Sequence, residues 1–362
     1  RQLQAVASGD RPTDHMPRTL LTLEGKEVPV EVTARHVMWN GDSGVVAIVR
    51  DLSQQEDYIR KQERYEASFQ GAFDAMVVAD DEGRYIEANQ TVCELFGLEK
   101  EELLGRSIEE FLPEDYDFAA AWQQFDDNIT DRGTLQIIRD DGEKRVIEYA
   151  ATANIVAGEH LSVLRDVTDR DNREDVLREM YKIISNRDQP FEEQVKALLE
   201  LGRQELDVAY GTLSEILGDE YIFKVVAADD ENIQADDVVP VSVTNCEIAA
   251  NTEQTLVLGD IERDAPEETD RAGYTEWGIC CYLGAPVFTD NNVYGTFCFY
   301  DTEPRGGQFS EWEVTLVDLM SRWVSYELQR QQGNIRLRKQ NEKLEQFASL
   351  VSHDLRNPLQ VL

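Results

Sequence analysis

The chain has 362 residues, of which 41% are hydrophobic and 9% aromatic, so its length and apolar content suffice for about two to three folded domains. Its 72 acidic residues against 35 basic ones give a net charge of −37 at pH 7. A surface of this sign repels nucleic acid phosphates and anionic lipid, which argues against charge-driven binding to either partner.

The acidic residues are spread along the whole chain instead of forming one tail. This pattern is typical of proteins from salt-accumulating microbes, in which concentrated cations screen the repulsion between carboxylates. We therefore expect a haloarchaeal, salt-adapted protein, with an ordinary acidic mesophilic protein as the alternative.

The sequence also indicates a compartment. No segment approaches the roughly 18 apolar residues of a membrane helix, and the first residues do not form a signal peptide. The chain begins at Arg1, inside a pattern already under way, so we interpret it as a cytoplasmic fragment whose parent is either soluble or anchored upstream. An odd number of cysteines without CxxC spacing favours a reducing compartment, and we predict no metal site. The cysteines are Cys93, Cys246, Cys280, Cys281 and Cys298.

A repeated pattern occupies the first half of the chain. Residues 24–53 and 141–168 each predict a Gly turn, an alternating strand, a second turn and a final strand. The first copy closes on Arg50-Asp51-Leu52-Ser53, and the second closes 115 positions later on Arg165-Asp166-Val167-Thr168. The similarity predicts two related units.

The segment between the two copies predicts helices and strands in turn. Polar residues 53–69, with sparse apolar positions, predict an exposed connecting helix, and 76–88 predict two strands around a turn. Residues 89–105 (NQTVCELFGLEKEELLG) predict short helices, and 115–129 predict a longer one.

The run Asn89–Gly105, the hairpin that follows it and the closing Arg165–Thr168 together resemble a PAS domain. The resemblance implies a PAS domain over 71–170, the C-terminal half of another over 1–56, and a linker helix over 57–70. In this family the closing Asp and hydroxyl couple the ligand state to the following helix. The residues given this signal-transmission role are Asp51, Ser53, Asp166 and Thr168. Local capping of a strand end is an equal alternative for them.

A second kind of unit begins near residue 171. Its pattern predicts two helices and two strands over 171–187, 190–206, 209–217 and 221–228, then a hairpin and a long helix. Ser310 followed by Glu313 has the spacing of a capping box at the start of that helix. The runs Leu283–Val287 and Tyr294–Phe299, with Phe309, Ser310 and Glu313, resemble the closing half of a GAF domain. The resemblance implies a GAF domain over 171–332.

The end of the chain has a two-per-heptad seam, spaced 4, 3, 4, 3, 4, that predicts a helix packing in a bundle. The seam consists of Leu337, Asn341, Leu344, Ala348, Val351 and Leu355. His353 falls between seam positions, so we expect its side chain to project toward solvent. The run Phe347–Leu359 (FASLVSHDLRNPL) resembles the phosphoacceptor box of sensor histidine kinases. It implies a truncated dimerisation and phosphoacceptor domain over 333–362.

This resemblance assigns three roles. His353 would take the γ-phosphoryl group of ATP, Asp354 would orient and activate the imidazole, and Asn357 would serve in dephosphorylating the partner receiver domain. The chemistry fits, because imidazole is neutral and nucleophilic near pH 7 and an adjacent carboxylate raises its basicity. A solvated surface histidine is the alternative.

The sequence identifies no cofactor site. It has no Gly-rich phosphate loop, so ATP and Mg would be used by a catalytic domain downstream, and this fragment should be inactive alone. The PAS and GAF ligands stay unassigned. We expect Cys93 to be a buried core thiol and place His160 in a hairpin turn, without a haem role. Cys280 and Cys281 are weak ligand-binding candidates, as chromophore-attaching or redox thiols, with simple packing as the alternative.

These patterns predict an α+β multidomain chain of PAS and GAF antiparallel sheets, flanked by helices, joined by long helices and ending in the first helix of a bundle. The implied function is the sensory and phosphoacceptor part of a sensor histidine kinase. Its partners would be a second copy in a homodimer, a response regulator receiver domain and its own ATP-binding domain. The alternatives are a PAS/GAF sensory-dimerisation module of a transcriptional regulator, and a scaffold in which His353 is unused.

The net charge predicts salt-dependent stability. Raising KCl shortens the Debye length from about 10 Å at 0.1 M to about 3 Å at 1 M, so the melting temperature should rise over this range. We expect partial unfolding in dilute buffer. Circular dichroism melts at a series of KCl concentrations measure the effect. A constant melting temperature would remove the argument for salt adaptation.

Overall fold

The computed structural model describes residues 13–127, 129–230 and 232–359, which form two compact units divided between Asn172 and Arg173. Residues 1–12 of the predicted first PAS segment and 360–362 of the predicted phosphoacceptor segment lie outside the described residues. Within the described ranges, no helix combines the length and the apolar character needed to cross a bilayer.

The first unit opens with three antiparallel strands and a helix. They are β1 (Thr13–Leu21), β2 (Glu27–Trp39), β3 (Asp42–Asp51) and α1 (Ser53–Gln70), with the strands paired in that order. The turn between β2 and β3 uses Asn40 and Gly41 at φ of 50° and 93°, the left-handed conformations that a tight hairpin requires. Helix α1 is mostly exposed, as its polar sequence predicts, and it buries Phe69 near its end.

A five-stranded antiparallel sheet follows in the same unit. Its strands are β4 (Ala75–Asp80), β5 (Tyr85–Ala88), β6 (Thr130–Ile138), β7 (Lys144–Val156) and β8 (Glu159–Asp166). They pair in the order β5-β4-β8-β7-β6, so the first and last strands lie side by side. Between β5 and β6 come α2 (Gln90–Phe96), α3 (Lys100–Leu103), a 3₁₀ turn (Ile108–Phe111) and α4 (Phe118–Asp127).

The core of this unit lies between the sheet and the short helices. The largest fully buried side chains are Phe96, Leu103, Phe111, Ile137 and Ile147. The rings of Phe96 and Phe111 are 4.6 Å apart between centroids in a tilted arrangement, a favourable geometry for aromatic pairs. The short helices that the sequence predicted over 89–105 are confirmed.

Two local predictions in this unit need correction. Helix α4 is shorter than the predicted 115–129, because the Asp117 carboxylate accepts the Ala120 N–H at 3.0 Å and caps the helix at its start. His160 is the second residue of β8 and not a turn residue, since Gly158, at φ of 79°, completes the turn first.

The second unit is built on a six-stranded antiparallel sheet, and α5 leads into it from the first unit. Its helices are α5 (Thr168–Ser185), α6 (Phe191–Leu206), α7 (Cys246–Thr252), α8 (Ile261–Asp264), α9 (Ala272–Thr275) and α10 (Glu311–Leu359). Its strands are β9 (Tyr210–Leu217), β10 (Glu220–Ala228), β11 (Val238–Pro240), β12 (Leu256–Leu258), β13 (Cys281–Thr289) and β14 (Asn292–Asp301). They pair in the order β11-β10-β9-β14-β13-β12.

Both faces of this sheet are covered. Residues of α5, α6 and α10 pack on one face around Phe297 and Phe299 of β14. Helix α7 and neighbouring loops pack on the other face around Tyr221 and Tyr282. Strand β13 is consequently buried at seven consecutive positions from its start, which explains its nearly continuous apolar sequence.

The start of α10 confirms the predicted capping box. The Ser310 hydroxyl accepts the Glu313 N–H at 3.3 Å, while the Glu313 carboxylate accepts the Ser310 N–H. The same carboxylate receives Arg305 at 2.8 Å. These bonds satisfy backbone donors that a helix start leaves unpaired.

Close packing of α6 on the sheet gives a test of this fold. A Cβ atom added at Gly202 would lie 2.2 Å from Cζ of the fully buried Phe299. Gly202→Ala should therefore destabilise the second unit by about 1–3 kcal/mol. Gly333→Ala in α10, where no atom lies within 4 Å of the new Cβ, is the matched control. It should be neutral or stabilise by up to about 1 kcal/mol. Urea denaturation measures both, and equal effects would contradict the packing described.

Candidate functional site

The junction between β8 and α5 is held by side-chain hydrogen bonds. The Asp166 carboxylate accepts the Thr168 N–H at 2.9 Å and the Arg145 guanidinium at 3.1 Å. The Thr168 hydroxyl donates to Asp166 and accepts the Val146 N–H of β7 at 2.9 Å. The backbone of Val167 bonds to the carbonyl of Val146 at 2.9 Å. The first residue of α5 is thus tied to the neighbouring strand.

The junction between β3 and α1 has the same plan with fewer hydrogen bonds. The Asp51 carboxylate accepts the Ser53 N–H at 2.8 Å, and this bond lowers the pKa of Asp51. The Leu52 N–H donates to the Pro29 carbonyl at 2.9 Å, as Val167 does to Val146 in the second copy. Because proline has no N–H, Pro29 cannot donate to Ser53 as Val146 donates to Thr168.

The structure therefore brings together each predicted pair of transmission residues at the start of a helix. This placement agrees with local capping and with transmission alike, so the role of the four residues stays a prediction. The geometry of each junction shows which hydrogen bonds a substitution there would remove.

Asn89 connects several elements of the first unit, a role that its sequence position alone did not predict. It is fully buried, and its side-chain oxygen accepts the N–H groups of Met76 at 2.9 Å and Val92 at 3.0 Å. Its side-chain nitrogen donates to the carbonyls of Phe69 at 3.2 Å and Asp74 at 3.0 Å. Asn89 thereby joins the end of α1 to the start of α2 and to β4. An Asn directly before a helix is a signal that could have indicated the cap, but the contacts to α1 depend on tertiary packing.

A mostly apolar cavity of about 100 Å³ lies between the five-stranded sheet and α4. Aromatic residues dominate its lining, including Tyr85, Phe118, Trp122, Phe125 and Tyr149. The Tyr149 hydroxyl donates to the Asp131 carboxylate at 2.8 Å, and burial followed by this bond raises the pKa of Tyr149. The cavity is suited to a small apolar ligand with one polar group.

His160 forms part of the wall of this cavity. Its side chain is 3% exposed, and its Nε2 lies 3.1 Å from the Asp81 carboxylate. Its Nδ1 accepts the Asn154 N–H at 3.4 Å, so the proton of the neutral ring belongs on Nε2. The ring packs edge-on against Trp122 and Phe125 at centroid distances of 5.6 and 5.5 Å.

Cys280 and Cys281 lie outside the linings of three cavities in the described part of the second unit, of about 530, 430 and 20 Å³. Cys281 lies in the core on the helix-covered face of the sheet, where burial raises the pKa of its thiol to about 11. The Cys280 thiol donates to the Gly278 carbonyl at 3.3 Å, and burial raises its pKa as well. Two cavities lie on the opposite face of the sheet. Trp277 lines both of them, and Cys246 lines the smaller one. Cys93 is buried in the first unit, as predicted.

The phosphoacceptor candidates lie in the last helix. The backbone of α10 is helical from Glu311 to Leu359 and includes His353, Asp354 and Asn357. Nearer the body of the unit, the seam residues Leu337 and Leu344 are 59% and 65% exposed.

Family models account for most of both units. A PAS domain model matches residues 4–54 and 74–169, and a GAF domain model matches residues 190–328. The chain contains PAS and GAF domains. The five-stranded sheet with its cavity belongs to the PAS match, and the six-stranded sheet belongs to the GAF match. The predicted fold class is confirmed in its PAS and GAF antiparallel sheets flanked by helices.

Known proteins resemble parts of the chain. Sporulation kinase E of Bacillus subtilis is 27% identical over 139 residues, which are 37% of this chain and 19% of that protein. The PAS domain of an HTR-like protein from Haloarcula marismortui is 26% identical, with 32% of this chain and 98% of that one covered and a TM-score of 0.29. The chromophore-binding domain of a bacteriophytochrome from R. palustris is 13% identical, covering 70% and 92%, with a TM-score of 0.36. The chain thus spans about a fifth of the kinase that it matches.

The extra bond at the second junction gives a testable difference between the two copies. Thr168→Val keeps the side-chain shape but leaves the half-buried Val146 N–H without its acceptor, so the PAS domain should lose about 1–2 kcal/mol. Ser53→Ala, at the matched position, should cost less than about 0.5 kcal/mol. Urea denaturation measures stability, and hydrogen exchange at Val146 reports the lost bond. Equal losses at the two sites would contradict this comparison.

Proposed function

We propose that this chain is the sensory and phosphoacceptor part of a sensor histidine kinase. Signal binding in the PAS or GAF domain would control ATP-dependent phosphorylation of His353 and transfer of the phosphoryl group to an Asp of a response regulator. The observation that carries the proposal is the run Phe347–Leu359, which stands on a helix that begins inside the GAF match. The similarity to Sporulation kinase E supports it.

The chemistry of the run fits phosphoryl transfer. Neutral imidazole is a nucleophile near pH 7, and the carboxylate of Asp354 would orient the ring and raise its basicity. Phosphoryl transfer depends mainly on positioning, which a residue on a continuous helix provides. Asn357 would take part in dephosphorylation of the receiver domain. ATP and Mg would be supplied by a separate catalytic domain.

The seam of α10 supports a homodimer. Leu337 and Leu344 are seven residues apart, so they lie on one face of the helix, and both expose more than half of their surface. Pairing with the same face of a second copy would bury them. The partners of the dimer would be the receiver domain of a response regulator and the ATP-binding domain of the parent protein.

The proposed domain organisation follows the sequence boundaries. A PAS C-terminal half would occupy 1–56, a linker helix 57–70, a PAS domain 71–170, a GAF domain 171–332 and the start of the phosphoacceptor domain 333–362. Asp51, Ser53, Asp166 and Thr168 would transmit the signal, since each pair lies where a sheet ends and a helix begins. The net charge of −37 supports a salt-adapted protein, and the odd number of cysteines without CxxC spacing supports a cytoplasmic one.

Phosphorylation of His353 is the direct test. The chain is incubated with labelled ATP and a histidine kinase catalytic domain in molar KCl. We expect acid-labile, base-stable label on the wild type, and His353→Gln should reduce it to background because no other side chain replaces the imidazole. His36→Gln, in β2 of the PAS half, is the matched control and should retain full label.

Label that persists in His353→Gln, or a folded wild-type chain that takes up none, would contradict the proposal. The second result would favour a PAS/GAF module that serves a transcriptional regulator. Circular dichroism of each variant separates loss of label from loss of fold.

A further inference from the structure

A pair of buried thiols in the GAF domain has no part in the proposed phosphotransfer. The Sγ atoms of Cys246, the first residue of α7, and Cys298, in β14, are 3.7 Å apart. Cys298 is fully buried and Cys246 is 4% exposed. The two residues are 52 positions apart in the sequence, so the packing of α7 against β14 brings them together.

Hydroxyl groups surround the sulfur of Cys246. The Tyr282 hydroxyl donates to it at 3.2 Å, and the Tyr221 hydroxyl lies 2.9 Å from it. Tyr221 also contacts the Thr296 hydroxyl at 3.1 Å, which holds its own hydroxyl in place. Donors that converge on a sulfur in this way stabilise its ionised form.

These contacts separate the ionisation of the two thiols. Burial by itself raises the pKa of the Cys246 thiol, but hydrogen bonds to its sulfur outweigh burial and lower that pKa to about 6. The donors are Cys298, Thr296, Tyr221 and Tyr282. The hydrogen bond that Cys298 gives to Cys246, together with burial, raises the pKa of Cys298. The hydrogen bonds around the pair therefore favour ionisation of Cys246 over that of Cys298.

The tyrosines around Cys246 stay neutral near pH 7. They are Tyr221 on β10, Tyr282 on β13 and Tyr300 on β14, and burial raises the pKa of each one. On α7 itself, Glu247 is paired with Arg271 at 2.7 Å. Cys246 is thus the group of this cluster that ionises first.

Two neighbouring cavities lie between exposed residues and Cys246. A cavity of about 530 Å³ has the exposed residues Asn232, Asp237 and Glu276 in its lining. A second cavity of about 20 Å³, lined by Cys246, shares four lining residues with the first. These are Phe223, Trp277, Ile279 and Tyr300. The smaller cavity exceeds the roughly 10–15 Å³ that a water needs, so a molecule of few atoms fits beside the sulfur.

We propose that Cys246 and Cys298 form a dithiol modification site that a hydroperoxide oxidises to a disulfide. Cys246 is the attacking thiolate and Cys298 is the resolving thiol. The proposal concerns the GAF domain alone and does not depend on phosphorylation of His353.

The reaction has two balanced steps. In the first, the Cys246 thiolate attacks one peroxide oxygen, so that an S–O bond forms, the O–O bond breaks, and the leaving oxygen takes a proton to become an alcohol or water. In the second, the Cys298 sulfur attacks the Cys246 sulfenic acid. An S–S bond forms, the S–O bond breaks, and hydroxide leaves with the Cys298 proton as water. The two thiols lose two electrons, and the peroxide gains them.

Closure of the disulfide requires a small movement. The sulfurs must approach from 3.7 Å to about 2.05 Å, the length of an S–S bond. Because Cys246 borders the smaller cavity, its neighbourhood has space for this movement. The product would join α7 covalently to β14, the last strand before α10.

Peptide mapping tests the site on the full chain. Reduced protein in molar KCl is treated with hydrogen peroxide, alkylated, digested and analysed by mass spectrometry. We expect a cross-linked Cys246–Cys298 peptide in the wild type. Cys298→Ser should instead accumulate sulfenic acid at Cys246, which dimedone traps, and Cys246→Ser should give neither product.

Two other buried thiols provide matched controls. Cys93→Ser and Cys281→Ser each remove a thiol from a different core, and both variants should form the cross-link at the wild-type rate. In Cys298→Ser, Cys246 should form sulfenic acid at least roughly tenfold faster than Cys93, because the thiolate is the reactive species. A cross-link between Cys280 and Cys281 alone, or equal rates at Cys93 and Cys246, would overturn the proposal.

Tyr221→Phe tests the activation of Cys246 without removing a sulfur. In the Cys298→Ser background, loss of this donor should slow sulfenic acid formation and raise its pH midpoint relative to Cys298→Ser alone. An unchanged rate and midpoint would overturn the assignment of Cys246 as an activated thiolate.

Discussion

Hydrogen bonding between the first and last strands of each larger sheet is the constraint on which the architecture depends. Strand β4 pairs with β8 in the PAS domain, and β9 pairs with β14 in the GAF domain. The chain therefore leaves each sheet from its interior and not from an edge. The next helix, α5 or α10, must begin where it can contact neighbouring strands, as Thr168 does with Val146. In either domain, the strand before the outgoing helix lies inside the sheet, so it connects the core directly to that helix.

Features that depend on neighbouring residues could be predicted from the sequence. The Ser310–Glu313 cap, the repeated Arg-Asp endings and the short helices after Asn89 follow from spacing and alternation, and all are present. Features that depend on distant residues could not. The contact of Asn89 with α1, the place of His160 in a cavity wall, and the approach of Cys246 to Cys298 arise only when separate elements pack. Cys280 and Cys281 are neighbours in the sequence itself, whereas Cys246 and Cys298 meet only in the folded domain.

The two proposed nucleophiles, His353 and Cys246, would react in opposite surroundings. His353 would react in water at the end of a long helix, where a partner domain has to reach it. Cys246 would react beside a cavity of about 20 Å³, which has room for a molecule of few atoms. Both nucleophiles rely on neighbours to set their charge, a carboxylate in the first case and hydroxyl groups in the second. The GAF domain would therefore respond to a reactive small molecule through its own residues, without a resident cofactor.

The proline at position 29 makes the two strand-to-helix junctions differ in their hydrogen bonds. At the second joint, twisting α5 about its axis strains three linked bonds among Asp166, Thr168 and Val146. At the first, Pro29 has no N–H, so the bond that Val146 donates to Thr168 has no counterpart at Ser53. Rotation of α1 about its axis would therefore strain fewer hydrogen bonds than rotation of α5. Two tandem copies of one fold thus differ in how firmly the sheet holds the helix that follows it.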